Sequence, residues 1–534
     1  MFKVKGSKMN KMKIRIGIAV VAMGVSANAA TQKFTEEELA YMPATAQIEL
    51  FKAGVITPTD VLEAQIARVQ KYNGACNENR RDLKDELDTF NAGKVNALTF
   101  ACFEEARREA TAATERYRNG TARKLEGVTV GMKDDFEVRG WTHDSASFVV
   151  DAIGRNAKAE ADDDVVAKLR AEGAIFPFQT TVPEFCISCM TWSRMYGVTR
   201  NPWNLFYGVG GSSGGSGASL AAGFCTLATG TDMGGSTRIP SAMNGVYGFK
   251  PPFGRVATIG NAYCSSGPMA RTFDDMALMQ NVMHGLSKKV QFSLRQKLDY
   301  TCAYAPIKGE KVAVAYMRGW LEAGLDKDVA AAMDRTVAAL KRAGAEIVPV
   351  DFGWKQSDIG PVYLKGLLAT DLYEMYQAGI AHHDLLCTYA ISAFDAVKGL
   401  TPEASVNADY LITDLHVRVQ SEVFDKGCIA LVMPTLSTAH VPADIDATPA
   451  KKADVNGKPY GGLDFCLTFV WNLMNAYPVV DVPAGLSSRN VPIGVQVIAN
   501  TYDDLEAFRV ASALSKALPQ NYRDGRFPDF RNKK

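Results

Sequence analysis

The chain has 534 residues, 59 of them basic and 58 acidic, for a formal charge of +1. With 47% hydrophobic and 22% charged residues it has ordinary globular composition, so a sizeable core can form. The near balance of charge and the lack of a long charge run argue against nucleic acid as a main partner.

The positive charges are unevenly placed. Lys3, Lys5, Lys8, Lys11, Lys13 and Arg15 precede an apolar run at residues 16–25, and Ala27-Asn28-Ala29 follows as a small-x-small cleavage site. This is the pattern of a secretory signal peptide over residues 1–29, with Met1, Met9 and Met12 all open as the start. The apolar run is shorter than the roughly 20 residues a membrane-spanning helix needs, so no stable membrane anchor is expected. Cleavage near Ala29 would leave 53 basic against 58 acidic residues, a charge of −5, on a periplasmic or secreted protein.

After the leader, residues 35–54 read as a helix. A second helix starts at Thr57-Pro58-Thr59-Asp60, where capping residues and Pro precede Leu62, Ile66 and Val69 on one face. Residues 97–118 have helical composition and stop at Asn119-Gly120. Residues 127–132 read as a short strand that delivers Lys133 at its end. A helix at 164–172 and a buried strand at 174–178 follow. Further on come a strand at 311–316, a helix at 327–343 and a strand at 345–350. Strands at 428–433, 478–482 and 493–498 and a helix at 505–518 close the chain. This alternation predicts an α/β fold, one large layered domain over residues 30–534 with a mixed central sheet and helices on both faces. Residues 286–463 are more irregular, with a helical stretch at 359–397, and suggest a cap over a site.

Ten cysteines in an exported chain make pairing a question. Cys76 and Cys102 flank the polar residues 77–94 and are placed to close them as a disulfide. Cys186 and Cys189 form a C-x-x-C, the spacing of a redox or metal site. It has no second pair and no neighbouring histidines, so a buried or disulfide-forming pair is the preferred reading.

Two glycine-serine clusters dominate the chemistry: Gly210-Gly211-Ser212-Ser213-Gly214-Gly215-Ser216-Gly217, and Gly230-Thr231-Asp232-Met233-Gly234-Gly235-Ser236-Thr237-Arg238. The apolar residues 218–228 between them are not linker sequence. Glycines of this kind let backbone N–H groups approach a reacting group closely. Residues 210–214 also satisfy G-x-S-x-G, but the approach at 201–208 is turn-rich where a nucleophile elbow needs a strand. No local sequence marks His284, His382, His383, His416 or His440 as a triad partner. A serine without histidine needs another base, and lysine serves where its charged form is disfavoured. Lys133 is the candidate, although a lysine beside Asp134 and Asp135 is ordinarily an ion pair.

Together these segments resemble the amidase signature family. The likeness is carried by Lys133 within residues 127–134, by residues 199–204, 210–216 and 230–238 in that order, and by the spacing of Ser212 and Ser236. Residues 245–251, 267–271, 478–483 and 492–496 continue it, so that it covers most of 40–520. Residues 77–94 stand out as an insertion. The resemblance implies the amidase signature fold and a Ser-Ser-Lys triad: Ser236 the nucleophile, Ser212 the bridging serine on a cis peptide, and Lys133 a neutral base. It implies an oxyanion hole from the amides of Met233, Gly234, Gly235 and Ser236, with Ser213, Thr231, Asp232 and Arg238 in support. Asp232 and Arg238 serve equally well as a plain structural ion pair. By position Phe185, Met190, Thr191 and Trp192 are candidate pocket walls, the alternative being simple core.

The reaction this implies is hydrolysis of a carboxamide to a carboxylate and an amine or ammonia, with no metal and no cofactor. The partners expected are a small-molecule amide and, for assembly, at most a second copy of the chain. Within the family, residues 44–50 and 201–219 are similar to cyclic-oligoamide hydrolases, and a peptide amidase would suit export. The amidase component of a tRNA-dependent amidotransferase shares the motifs, and the leader argues against it. Outside hydrolysis stand a catalytically dead binding protein on the same scaffold and a thiol oxidoreductase using Cys186 and Cys189.

Overall fold

The computed structural model describes residues 33–76, 82–84, 86–87, 89–258, 262–368, 373–396, 402–445, 452–523 and 525–534. The expected leader at 1–29 lies outside them. The chain forms one large α/β domain built on an 11-stranded mixed sheet. Across the sheet the strands run Leu98–Ala101, Phe178–Thr180, Val130–Lys133, Leu227–Asp232, Ser265–Ala270, Tyr247–Lys250, Val479–Leu486, Pro492–Ala499, Cys428–Pro434, Lys311–Val314 and Glu346–Pro349. Val130–Lys133 is parallel to both its neighbours, whereas the pairings from Leu227–Asp232 through Cys428–Pro434 are antiparallel.

Side chains alternate across a strand, so each strand feeds two cores. Val312, Val314, Ala430, Val432, Val480, Val482, Val495 and Val497 join one hydrophobic cluster, which includes Phe508, Val510 and Leu514 of helix Asp504–Ala517. Their neighbours Ala313, Leu431, Met433, Val479 and Ile498 join a second cluster with Ile239 and Met243 of helix Arg238–Asn244. The near-continuous apolar runs in these strands follow from burial on both faces. Each fully buried Val or Phe contributes roughly 1.5–3 kcal/mol of transfer free energy. The layered arrangement expected from the alternating elements is the one observed.

Some boundaries differ, each for a local reason. The helix expected over 35–54 is two helices, Glu36–Tyr41 and Ala44–Lys52. Pro43 separates them because it lacks an N–H and drives the residue before it out of the helical region, and Met42 is extended at ψ 132°. The second helix starts without a side-chain cap of its own; Asp275 reaches across to accept the N–H groups of Ala44 and Thr45 at 3.0 Å each. Helix Pro58–Tyr72 begins as expected, with a capping box between Thr57 and Asp60. Residues 97–118 split into edge strand Leu98–Ala101 and helix Phe103–Arg118, because antiparallel pairing with Phe178–Thr180 outweighs helical composition. The strand expected at 174–178 is displaced to Phe178–Thr180. The turn-rich approach at 201–208 contains strand Asn204–Gly208, paired with Arg200–Asn201 as a hairpin.

No disulfide joins Cys76 to Cys102: the Cys102 thiol donates to the Phe176 carbonyl at 3.1 Å, and Cys76 accepts from Asn73. Of the insertion at 77–94, residues 77–81, 85 and 88 lie outside the described set; the rest is turns, held to the domain by the Asp82–Arg194 ion pair. The irregular region 286–463 supplies strands Lys311–Val314, Glu346–Pro349 and Cys428–Pro434 to the central sheet, so it is woven into the domain. Its helix Gln356–Leu368 contributes Tyr363 to the wall of the cavity described below.

Candidate active site

Two parallel strands end side by side and deliver the polar groups. Val130–Lys133 is fully buried and apolar until its last residue, and Leu227–Asp232 brings Thr231 and Asp232 to the same end of the sheet. The Lys133 side chain is fully buried, and its backbone N–H is held by the Thr229 hydroxyl at 3.0 Å. Its Nζ lies 2.8 Å from Ser212 Oγ, 2.5 Å from Thr231 Oγ1 and 2.8 Å from Asp135 Oδ2. The Thr231 hydroxyl in turn donates to the same Asp135 oxygen.

Ser212 stands in the tight turn before the buried helix Gly214–Ala222, and the Gly211–Ser212 peptide is cis. A Cβ on Gly211 would lie 2.6 Å from the Ser188 carbonyl oxygen, so only glycine lets the two segments meet here. The next amide, Ser213 N–H, donates to the Ser236 carbonyl at 3.1 Å, tying the first cluster to the second. Ser236 and Gly211 both line one cavity, together with Cys186, Ile187, Ser188, Cys189, Met233, Gly234, Ile239, Tyr363, Ala393 and Leu463. No charged side chain lines it among the described residues.

The backbone from Asp232 to Ser236 is clamped from outside. Asn472 donates to the Asp232 carbonyl at 2.9 Å, Tyr363 to Met233 at 3.1 Å, Thr468 to Gly234 at 2.6 Å, and the Ile239 amide to Gly235 at 2.7 Å. In a trans peptide the N–H points opposite to its C=O, so fixing four carbonyls fixes the direction of the following four N–H groups. Of the four amides expected as oxyanion donors, that of Gly235 differs: it is given to Asp232 Oδ1 at 2.8 Å. Gly235 also sits at φ +118°, a conformation that favours glycine. The amides of Gly234 and Ser236 have no partner among the described residues.

Asp232 and Arg238 form a fully buried, two-point ion pair at 2.8 and 2.9 Å. Arg238 also donates to Thr468 O, Gln496 Oε1 and Asn472 Oδ1. Burial alone would push the Asp232 carboxyl up, but Arg238 and Asn472 hold it below the usual carboxylate range. The pair therefore both anchors the turn that carries Ser236 and holds the amide of Gly235. Ser213 contributes a longer contact, its hydroxyl 3.4 Å from the Thr231 carbonyl.

Three expectations are revised. Lys133 was expected as a neutral amine. Burial does push its pKa down, but Asp135 outweighs this and holds the ammonium above the ordinary lysine range. The ion pair ordinarily expected of a lysine beside aspartates therefore exists, but inside the site and to Asp135. Asp134 instead is buried near Asp144, and burial together with that second carboxylate pushes it well up. The pocket walls are also revised. Phe185 packs against Phe394 and Leu386, Met190 lies in the second core, Thr191 donates to the Gly210 carbonyl, and Trp192 donates to Ile445 O. The cavity wall is the segment between them, residues 186–189. Finally, the two C-x-x-C thiols diverge: Cys189 donates to Gly462 O at 2.9 Å, while Cys186 faces the cavity and Asp135.

Tyr363, Thr468 and Asn472, which clamp the turn, went unseen in the sequence. They lie more than 100 residues from the motif and carry no local signature. The histidines weighed as bases that have described partners are engaged elsewhere: His284 with Gln280 and Leu298, His416 with Tyr477, and His440 beside Asp326 and Asp328.

Comparison with known proteins gives the family and the fold. The amidase family profile matches residues 83–507. A glutamyl-tRNA(Gln) amidotransferase subunit from Neisseria meningitidis is 31% identical over 444 residues, spanning 76% of this chain and 87% of that relative. Among solved structures, a bacterial aryl acylamidase of the amidase signature family is 27% identical at a TM-score of 0.77, over 90% of this chain and 97% of its own. A 6-aminohexanoate cyclic dimer hydrolase is 27% identical at 0.76, over 92% and 99%.

Proposed function

From the premise that the chain belongs to the amidase signature family, we propose that it works alone as an amidohydrolase on amides whose acyl group is uncharged and largely apolar. Ser236 is the nucleophile, Ser212 the bridge and Lys133 the base. Once Lys133 has lost a proton, it takes one from Ser212, which takes one from Ser236, and the Ser236 oxygen attacks the carbonyl. The amides of Gly234 and Ser236 face the developing oxyanion. The protonated Lys133 then returns its proton through Ser212 to the leaving nitrogen, which cannot depart as an anion. Water repeats the sequence on the acyl-enzyme.

One observation carries this reading: a lysine 2.8 Å from the Ser212 hydroxyl, behind a cavity lined by Ser236 and by no charged side chain among the described residues. The relatives named as amidotransferase subunits favour a second reading, hydrolysis of glutamine within an assembly. Free glutamine carries both an ammonium and a carboxylate, and burying either without a partner costs several kcal/mol. A cavity with no charged wall among the described residues suits aryl or aliphatic acyl groups better. The basic-then-apolar leader at 1–29 supports export, which also sets the chain apart from tRNA.

The purified chain is to be assayed alone on an aryl acylamide, an aliphatic carboxamide, a peptide amide, a cyclic oligoamide and glutamine. Turnover of an uncharged amide that is lost in Ser236→Ala is the expected result. Turnover of glutamine alone, or only with added subunits, overturns the reading. N-terminal sequencing of the processed protein tests cleavage at Ala29.

A further inference from the structure

Lys133 has more partners than a base at rest requires. An ammonium carries three N–H donors and no lone pair, whereas a neutral amine has two donors and one acceptor site. Around Nζ stand three oxygens: Ser212 Oγ at 2.8 Å, Thr231 Oγ1 at 2.5 Å and Asp135 Oδ2 at 2.8 Å. The Asp135 oxygen is a carboxylate and accepts, and the Thr231 hydroxyl has already given its hydrogen to that same oxygen, so it too accepts from lysine. With Ser212 as the third acceptor, all three ammonium hydrogens are used. In this arrangement no lone pair faces Ser212, and the relay is closed.

We propose that Asp135 is a positioning residue that holds Lys133 as a bound ammonium in the resting enzyme, and so sets the pH above which the relay from Ser236 through Ser212 can run. This rests on the hydrolytic reading above and adds its regulation. Opening the relay requires one proton to leave Nζ for solvent. The lone pair then replaces the donor that pointed at Ser212, while Thr231 and Asp135 keep the remaining two N–H groups and hold the nitrogen in place.

The other titratable groups around the pair do not substitute for this carboxylate. Burial pushes the Cys186 thiol, 4.0 Å from Asp135 Oδ2, up to about 12, so it is neutral. Asp134 is buried near Asp144, and burial together with that second carboxylate pushes its pKa well up. Cys264 is within electrostatic reach of Lys133, and Asp163, pushed up by burial to about 6, senses Asp135 from the neighbouring loop. Asp135 is the carboxylate in contact with Nζ among the described residues. Consistent with this, Lys133 is held above the ordinary lysine range despite burial.

The test is the pH dependence of Ser236 labelling by a fluorophosphonate, in the full-length wild type and in Asp135→Asn. An opposite charge at this distance moves a pKa by about 1–3 units, so the acid limb should move to lower pH by about that much in Asp135→Asn. A labelling rate lowered evenly at every pH, or an acid limb that stays in place or moves to higher pH, overturns the proposal. If Asp135→Asn does not fold, the wild type itself decides. The ε-carbon resonance of Lys133, identified by its loss in Lys133→Arg, is expected to titrate above the ordinary lysine range; titration below it refutes the proposal. Absence of labelling in the wild type, or labelling indifferent to Lys133→Ala, strikes instead at the hydrolytic reading. Lys133-dependent labelling with an unmoved limb strikes at Asp135 alone.

Discussion

Replacing Tyr363 with phenylalanine removes one oxygen, and that oxygen is the donor that pins the Met233 carbonyl at 3.1 Å. The ring stays seated against Phe469, with centroids 4.8 Å apart, so packing is preserved. What is lost is the restraint on the Met233–Gly234 peptide, whose N–H is one of the amides expected to face an oxyanion. A neutral hydrogen bond contributes about 1 kcal/mol net, which sets the least effect at about fivefold. Complete loss of one oxyanion donor costs about 3–4 kcal/mol, or roughly 10²–10³ in kcat, which sets the ceiling. Tyr363→Phe should therefore lower kcat between these bounds and leave KM nearly unchanged, because the oxyanion exists only in the transition state. Steady-state kinetics on the best amide substrate, with single-turnover acylation as a check, reads both constants. An unchanged kcat, or a loss confined to KM, would refute the idea that the clamped carbonyls aim the amides.

Lys133→Ala should reduce acylation by about 10²–10⁴, the usual worth of a positioned general base, while leaving the fold intact by circular dichroism. Arg238→Met strands the fully buried Asp232 carboxylate, so denaturant unfolding should show a loss of about 3–5 kcal/mol together with loss of activity. His284 gives a pH signature: its Nδ1–H donates to Gln280 O at 2.8 Å and its Nε2 accepts from Leu298 N–H at 3.0 Å, which requires the neutral ring. Burial pushes its pKa from 6.5 down to about 4, so this stabilisation is complete above about pH 6.5 and drains away as pH falls toward 4. The melting temperature should decline over that window, and His284→Gln should flatten the decline.

The sequence alone decided what depends on neighbours in the chain. The apolar run ending at Lys133 reads as a strand because both its faces are buried, whereas strand Leu227–Asp232 was not legible. The glycines of residues 210–217 and 230–238 are readable because close backbone approach leaves no room for a side chain. Ser212, Thr231, Arg238 and Lys133 were legible through the resemblance of their segments to the amidase signature family, and the start of helix Pro58–Tyr72 through its own capping residues. The break at Pro43 was also written locally, although composition masked it. What tertiary structure alone decided depends on groups that meet only after folding. Tyr363, Thr468 and Asn472 come from distant segments to clamp the turn. The cavity wall fell on residues 186–189 because their neighbours Phe185, Met190 and Trp192 are drawn into cores by burial. The pKa of Lys133 is the sharpest case: desolvation lowers it and the attraction of Asp135 raises it, and their balance is set by distances of a few ångströms that no spacing along the chain encodes.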